Sequence, residues 1–210
     1  ILAKQPSDLL STDIPDNVYQ GLLQSNATDI HVFGRRGPAQ VKFSPLELRE
    51  ACHVNDVDAI VYDEDFQYDE GSQEAIDSNN QIRVMVNTLE GLRGVEPKGA
   101  SRRLHLHFFS APKEIIGSDG KVTGIKIERT KLDGKGGVVP TGEIREFPVQ
   151  AVYRAVGYFG SELVDVPFDY KYGVISNTAG RVTDSSGEHI RGMYATGWIK
   201  RGPVGLIGHT

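Results

Sequence analysis

The residues best placed to do chemistry lie in the run Val32-Phe33-Gly34-Arg35-Arg36-Gly37-Pro38. Two adjacent guanidiniums follow a short apolar stretch, Ile30 to Phe33, and no acid stands at its end. In a dinucleotide-binding βαβ unit the end of the second strand faces the adenosine ribose. A carboxylate there accepts the ribose hydroxyls, whereas arginine accommodates a 2′-phosphate. A phosphate monoester carries about two negative charges at neutral pH, and a planar guanidinium binds its oxygens two at a time. Arg35 and Arg36 therefore favour NADPH over NADH; a solvated basic turn is the competing reading. The G-x-G-x-x-G phosphate loop of a complete unit is absent, since Gly34-Arg35-Arg36-Gly37 lacks that spacing.

A second candidate is Gly197-Trp198-Ile199-Lys200-Arg201-Gly202-Pro203. The only Trp of the chain sits between glycines that open the backbone to a ligand. Core filling is the alternative. Ser44-Pro45-Leu46-Glu47 combines an N-cap Ser, Pro at the first helical position and Glu at the third, which makes Glu47 first of all half of a capping box. The six histidines are too scattered along the chain for a zinc pattern. His105 and His107, two apart in an apolar alternation, share one face of a strand and read as structural or solvated.

These residues need elements to hold them. A helix is expected over residues 16–24, a buried strand at 30–33, a helix from 45 to about 53, a strand at 58–62 and a helix over 73–92. That order implies a parallel sheet with crossovers. After residue 103 the pattern changes to strands at 104–109, 113–116, 122–131 and 143–149. Ser118-Asp119-Gly120 and the glycine-rich 133–142 join the last three, and Asp-Gly between strands is a hairpin signal. The fold class is thus α/β: a Rossmann-like parallel sheet with helices plus an antiparallel three-stranded meander. Ala151–Val156 reads as a further strand, little is regular from 160 to 190, and 194–196 closes as a short buried strand. Both ends look cut, the first four residues resembling the last turn of a helix.

The totals fit an ordinary globular protein of 210 residues, with 39% hydrophobic and 24% charged side chains. A net charge of -5 argues against a nucleic-acid binder. No apolar run is long enough to span a bilayer. A lone cysteine, Cys52, suits a reducing compartment such as the cytoplasm or the mitochondrial matrix. Residues 56–70 hold seven acids and no base, while Arg93, Lys98, Arg102 and Arg103 form a basic stretch with Arg83 nearby.

The run from Gly34 through Glu50, and above all Gly197-Trp198-Ile199-Lys200-Arg201-Gly202-Pro203-Val204-Gly205-Leu206-Ile207-Gly208, resembles the ferredoxin–NADP reductases of the adrenodoxin-reductase type. The family pattern GW-(V/I)-KRGP-T-G-(V/I)-I is matched except at Val204 and Leu206. The resemblance covers essentially the whole chain, with Ala155–Tyr158, Val166–Asp169 and Gly173–Ile175 in order between the two runs. It implies a flavoprotein that passes electrons from NADPH through FAD to an acidic ferredoxin, with residues 1–155 an NADP-binding domain lacking its first strand and phosphate loop. Residues 156–210 would be a returning part of the FAD-binding domain, and the piece alone would lack turnover and tend to self-associate. The resemblance assigns Arg35 and Arg36 to the 2′-phosphate, Glu47 to a carboxylate near nicotinamide and flavin, Trp198 to the aromatic beside the flavin, and Gly205 and Ile207 to the flavin–nicotinamide region. Docking of the ferredoxin on the basic stretch is a further expectation. Other readings are a non-catalytic nucleotide-binding module and a glutamate-synthase-type electron-transfer subunit, against which Trp198 counts.

Overall fold

The computed structural model describes residues 1–203, and the chain divides into two compact units, Ile1–Val152 and Tyr153–Thr210. In the first unit the described elements are α1 (Asp16–Leu23), β1 (Asp29–Phe33), α2 (Pro45–Cys52), β2 (Val57–Val61), α3 (Glu70–Ser78), α4 (Asn80–Glu90), β3 (Arg102–His107), β4 (Ser110–Ser118), β5 (Lys121–Leu132) and β6 (Val138–Phe147). Strands β1, β3 and β2 form a parallel sheet in that order, so the last strand made lies between the other two.

Alternation along these strands divides the sheet into two unlike faces. Ile30, Leu104, Leu106 and Val61 point to one side, where they join Leu48 of α2 and Met85 and Leu89 of α4 in the main core. Helix α4 is shaped for this: Ile82, Met85, Val86 and Leu89 recur at helical spacing, and the last three are buried. The opposite face carries Asp29, His31 and Phe33 from β1 and Arg103, His105 and His107 from β3, with His31 level with His105. Polar and aromatic rather than aliphatic, this face is held by side-chain hydrogen bonds.

Two helices occupy the region expected to be one. Asn79 adopts an extended φ of -127°, and its Oδ1 accepts from the backbone N–H groups of Gln81 at 2.9 Å and Ile82 at 3.3 Å. An Asn that caps a helix ends the one before it. The first four residues form a turn closed by Lys4 N–H to the Ile1 carbonyl at 3.0 Å, rather than a helix end.

The meander is present as β4–β5–β6, antiparallel throughout. Asp119 and Gly120 both take positive φ, 52° and 74°, the left-handed pair that a tight hairpin needs. Its other connection is tied to the helical layer, because the Asp69 carboxylate accepts from Ser72 N–H at 2.8 Å and from Gly136 N–H at 2.9 Å.

The second unit is built of short pieces: β7 (Phe168–Asp169), β8 (Val174–Ile175), β9 (Asn177–Thr178), β10 (Arg181–Thr183), β11 (His189–Tyr194) and the single turn α5 (Trp198–Arg201). β7 pairs with β8, and β9, β10 and β11 form a second antiparallel sheet around Ile175, Val182 and Ala195. Strands of two or three residues closed by turns are too short to show periodicity, which is why 160–190 reads as irregular in the sequence. Ala151–Val156 is not a strand, and Val156 is 82% exposed. Its apolar alternation finds no ladder among the described residues, and β propensity without a partner strand makes no sheet. The strand expected at 194–196 ends at Tyr194, which is exposed, with Ala195 buried just beyond it.

Candidate functional site

Arg35 and Arg36 follow β1 directly, at the carboxyl end of the parallel sheet, where open α/β sheets place their ligands. Their backbone is pinned from three strands. Gly34 N–H donates to the His107 carbonyl and the Gly34 carbonyl accepts from Ser110 N–H, both at 2.8 Å. The Arg36 carbonyl accepts from Phe109 N–H at 3.1 Å, and the Arg35 carbonyl accepts from the Thr130 hydroxyl at 2.7 Å. Gly37, Pro38 and Ala39 are buried behind them, with the Phe109 ring filling the space a Gly37 side chain would take. Phe109 is 1% exposed and has a φ of 49°, a left-handed turn that costs about 1–2 kcal/mol in a non-glycine residue. Both arginine side chains are exposed, and neither guanidinium makes an ion pair or hydrogen bond among the described residues. A backbone held by these hydrogen bonds thus presents two cations that no acid among the described residues compensates.

Glu47 lies in the first turn of α2 and closes the expected capping box. Its Oε2 accepts from Ser44 N–H at 3.0 Å and from the Ser44 hydroxyl at 2.8 Å, while Glu47 N–H donates to Ser44 Oγ at 3.2 Å. The two Ser44 bonds hold its carboxyl below the usual range, so Glu47 is ionised and fixed.

Trp198 belongs to the second unit. It opens α5 after Gly197, whose φ of 70° and ψ of -154° favour glycine, and Gly202 at φ 89° ends the turn. The indole is 52% exposed and stacks loosely on Tyr158, ring centres 6.4 Å apart. Asn177 braces the turn, donating through Nδ2 to the Lys200 carbonyl at 2.8 Å. The indole is not buried in the core of the described residues. Gly205 and Ile207 lie outside the described residues.

The structure brings together one set that spacing along the chain hides: His31, His105 and His107, with ligand-capable nitrogens all within 4.8 Å of one another. The signal was the matching alternation on β1 and β3, legible only once the two are known to be neighbours in register.

No family model matches the chain. It is 37% identical over 213 residues to the NADPH-ferredoxin reductase FprA of Mycobacterium tuberculosis, covering 99% of this chain and 45% of that protein. It is 36% identical over 220 residues to the mitochondrial NADPH:adrenodoxin oxidoreductase of Bos taurus, covering 99% and 44%. The solved structure of Mycobacterium tuberculosis FprA in complex with NADPH superposes with a TM-score of 0.84 at 35% identity, over 99% of this chain and 45% of that one. The chain is a homologue of the NADPH–ferredoxin and adrenodoxin reductases. It spans less than half the length of these relatives. Neither the nucleotide-binding-module reading nor the glutamate-synthase reading is favoured by these likenesses.

In this reductase homologue the charged stretches take roles the sequence did not suggest. Arg93 pairs with Asp63 and Glu90 at 2.9 and 2.8 Å, and Arg103 grips Asp29 through two bonds of 2.5 and 2.6 Å. Arg102 is buried and donates to the carbonyls of Leu2 and Lys4 at 2.9 and 2.7 Å. Three of the four cations expected to meet a partner thus have acceptors within the chain. Acids of 56–70 likewise find partners within the chain: Asp58 accepts from the N–H groups of Lys98, Gly99 and Ala100 at 2.9, 3.1 and 2.9 Å, and Asp65 is buried against Arg129 at 2.7 Å.

Proposed function

We propose that this chain is the NADPH-recognising part, with an adjoining flavin-bordering part, of an enzyme that passes electrons from NADPH through FAD to a ferredoxin-type iron–sulfur protein. Residues 1–155 would form the nucleotide domain and 156–210 the returning portion of the flavin domain. One observation carries the reading: two uncompensated guanidiniums on a fixed backbone at the carboxyl end of β1, with no acid beside them, are a donor set for a phosphate dianion. A ribose hydroxyl pair would call for a carboxylate instead.

Hydride acceptance from the nicotinamide and release of single electrons are the chemistry the flavin supplies when bound. The protein's share is orientation and electrostatics. Arg35 and Arg36 hold the adenosine end by its 2′-phosphate. Glu47, ionised and immobilised by Ser44, acts as a fixed acceptor near the nicotinamide rather than a proton donor. Trp198, on a turn whose glycines leave the backbone open, offers a flat apolar face to the flavin and excludes water there. Gly205 and Ile207 would complete that border. The redox partner is an acidic iron–sulfur protein, docking away from the cations already paired internally. A reducing compartment, cytoplasm or mitochondrial matrix, suits the lone Cys52, and among the described residues no helix is long and apolar enough to cross a membrane. The piece by itself would be without turnover and prone to self-association.

The test is a calorimetric titration of the chain with adenosine 2′,5′-bisphosphate and with 5′-AMP. The bisphosphate should bind more tightly, and Arg35→Ala with Arg36→Ala should remove the difference, at about 1.5–3 kcal/mol for each charge-assisted contact. Equal binding of the two nucleotides by the unaltered chain would overturn the assignment.

A further inference from the structure

We propose that His31, His105 and His107 form a binding site for a divalent transition-metal ion of the zinc type on the polar face of the parallel sheet. The three come from two neighbouring strands: His31 is level with His105, and His107 follows two residues later on the same face. His105 and His107 are buried and His31 is half-buried.

The nitrogens are close to what a metal requires. His31 Nδ1 and His107 Nε2 approach to 2.9 Å. Two imidazole nitrogens on a tetrahedral zinc ion, each about 2.0–2.1 Å from it, stand roughly 3.3 Å apart. One of the facing nitrogens must already be a bare acceptor, since two N–H groups cannot point at each other.

His105 has the support expected of a ligand. Its Nε2 is 3.0 Å from Asp29 Oδ1, and Asp29 is itself held by Arg103. A carboxylate behind one ring nitrogen orients the imidazole and raises the basicity of the other. That other nitrogen, Nδ1, meets the Tyr62 hydroxyl at 2.8 Å and becomes the third ligand when the hydroxyl turns away. A water would take the fourth position. Three imidazole nitrogens select zinc, copper or nickel over magnesium or calcium, which take oxygen.

As they stand, the rings stack, with His31 and His105 centres 4.4 Å apart and 15° from parallel, and the edge of Phe147 against His107 at 5.1 Å. Ligation requires the imidazoles to swing about their Cβ–Cγ bonds until three lone pairs converge. The competing account is that the three rings are only an aromatic layer covering the sheet. A bound ion would instead bolt β1 to β3 at the strand ends that carry Arg35 and Arg36.

The experiment is a titration of the untagged full chain with Co(II), followed by the visible absorption that a tetrahedral nitrogen-ligated ion gives. One equivalent should bind, Zn(II) should displace it, and Zn(II) should raise the melting temperature. His105→Gln and His107→Gln should each abolish the absorption, His53→Gln should leave it unchanged, and Asp29→Asn should weaken binding about 10–100-fold. Should the histidine variants not fold, imidazole resonances of the unaltered chain decide. Zn(II) must then shift those of His31, His105 and His107 together. No stoichiometric Co(II) signal, a signal that survives His107→Gln, or shifts confined to His53 and His189 would overturn the proposal.

Discussion

Gly37 decides where Arg35 and Arg36 can stand. Its φ of -77° is open to any residue, so the need for glycine is steric: a Cβ would run into the ring of Phe109, which cannot retreat from the core. Gly37→Ala should therefore cost about 1–3 kcal/mol, the range for overpacking, and should push the arginine loop outward. Denaturant unfolding would register the loss of stability, and weakened adenosine 2′,5′-bisphosphate binding would register the displacement. An alanine variant as stable and as tight as the parent would show that the ring has room to move. Residues whose signals are local were legible in the sequence. The arginine pair needs only its neighbours to be noticed, and the Ser44–Glu47 box is a four-residue pattern. Gly37 was not, because its constraint comes from Phe109, and the histidine set was not, because strand register is a property of two segments distant in the chain.

Among the elements, the turn Asp63–Asp65 after β2 joins more of the first unit than its length suggests. Asp65 accepts from Phe108 N–H at 2.8 Å and faces Arg129 of β5 at 2.7 Å. Arg129 in turn donates to the Phe108 carbonyl at 2.8 Å and to the Ser110 hydroxyl at 3.2 Å. One buried pair thus links the end of β2, the bend between β3 and β4, and the meander. Removing one partner of such a pair leaves an uncompensated charge, so Asp65→Asn should destabilise the unit by about 3–5 kcal/mol in denaturant melts. A loss under 1 kcal/mol would mean the meander docks by apolar packing alone. The same acids read in the sequence only as a charged run, since nothing local shows which backbone amides and guanidiniums they will meet. Elements with strong periodicity and caps were legible almost to their ends. The break at Asn79 was signalled by Ser78-Asn79-Asn80 but outweighed by the apolar spacing on either side, and the short pairings of the second unit depend on tertiary closure.

For the molecule as a whole, burial and pairing make acid the expected weakness. His107 titrates near 3 when folded against an ordinary value of 6.5, so between those values the unfolded chain binds more protons. Stability is complete above about 6.5 and falls as the pH drops below it. His31 adds in the same direction, and Asp29, Asp58 and Asp69, held low by their hydrogen bonds, withdraw their contributions lower still. Asp65, raised by burial, opposes them in part. Melting temperature should decline from pH 7 to 5, and His107→Gln should flatten that decline; an unchanged slope would assign it elsewhere. The bonds that shape the arginine corner have a different consequence, for the order of assembly. Residue 34 is tied to 107 and 110, 36 to 109, and 35 to 130. None of these contacts is local, and non-local contacts form late because the intervening chain must first be ordered. During synthesis the two arginines leave the ribosome before Thr130, and they have no shape of their own until the strand bearing it has followed them out.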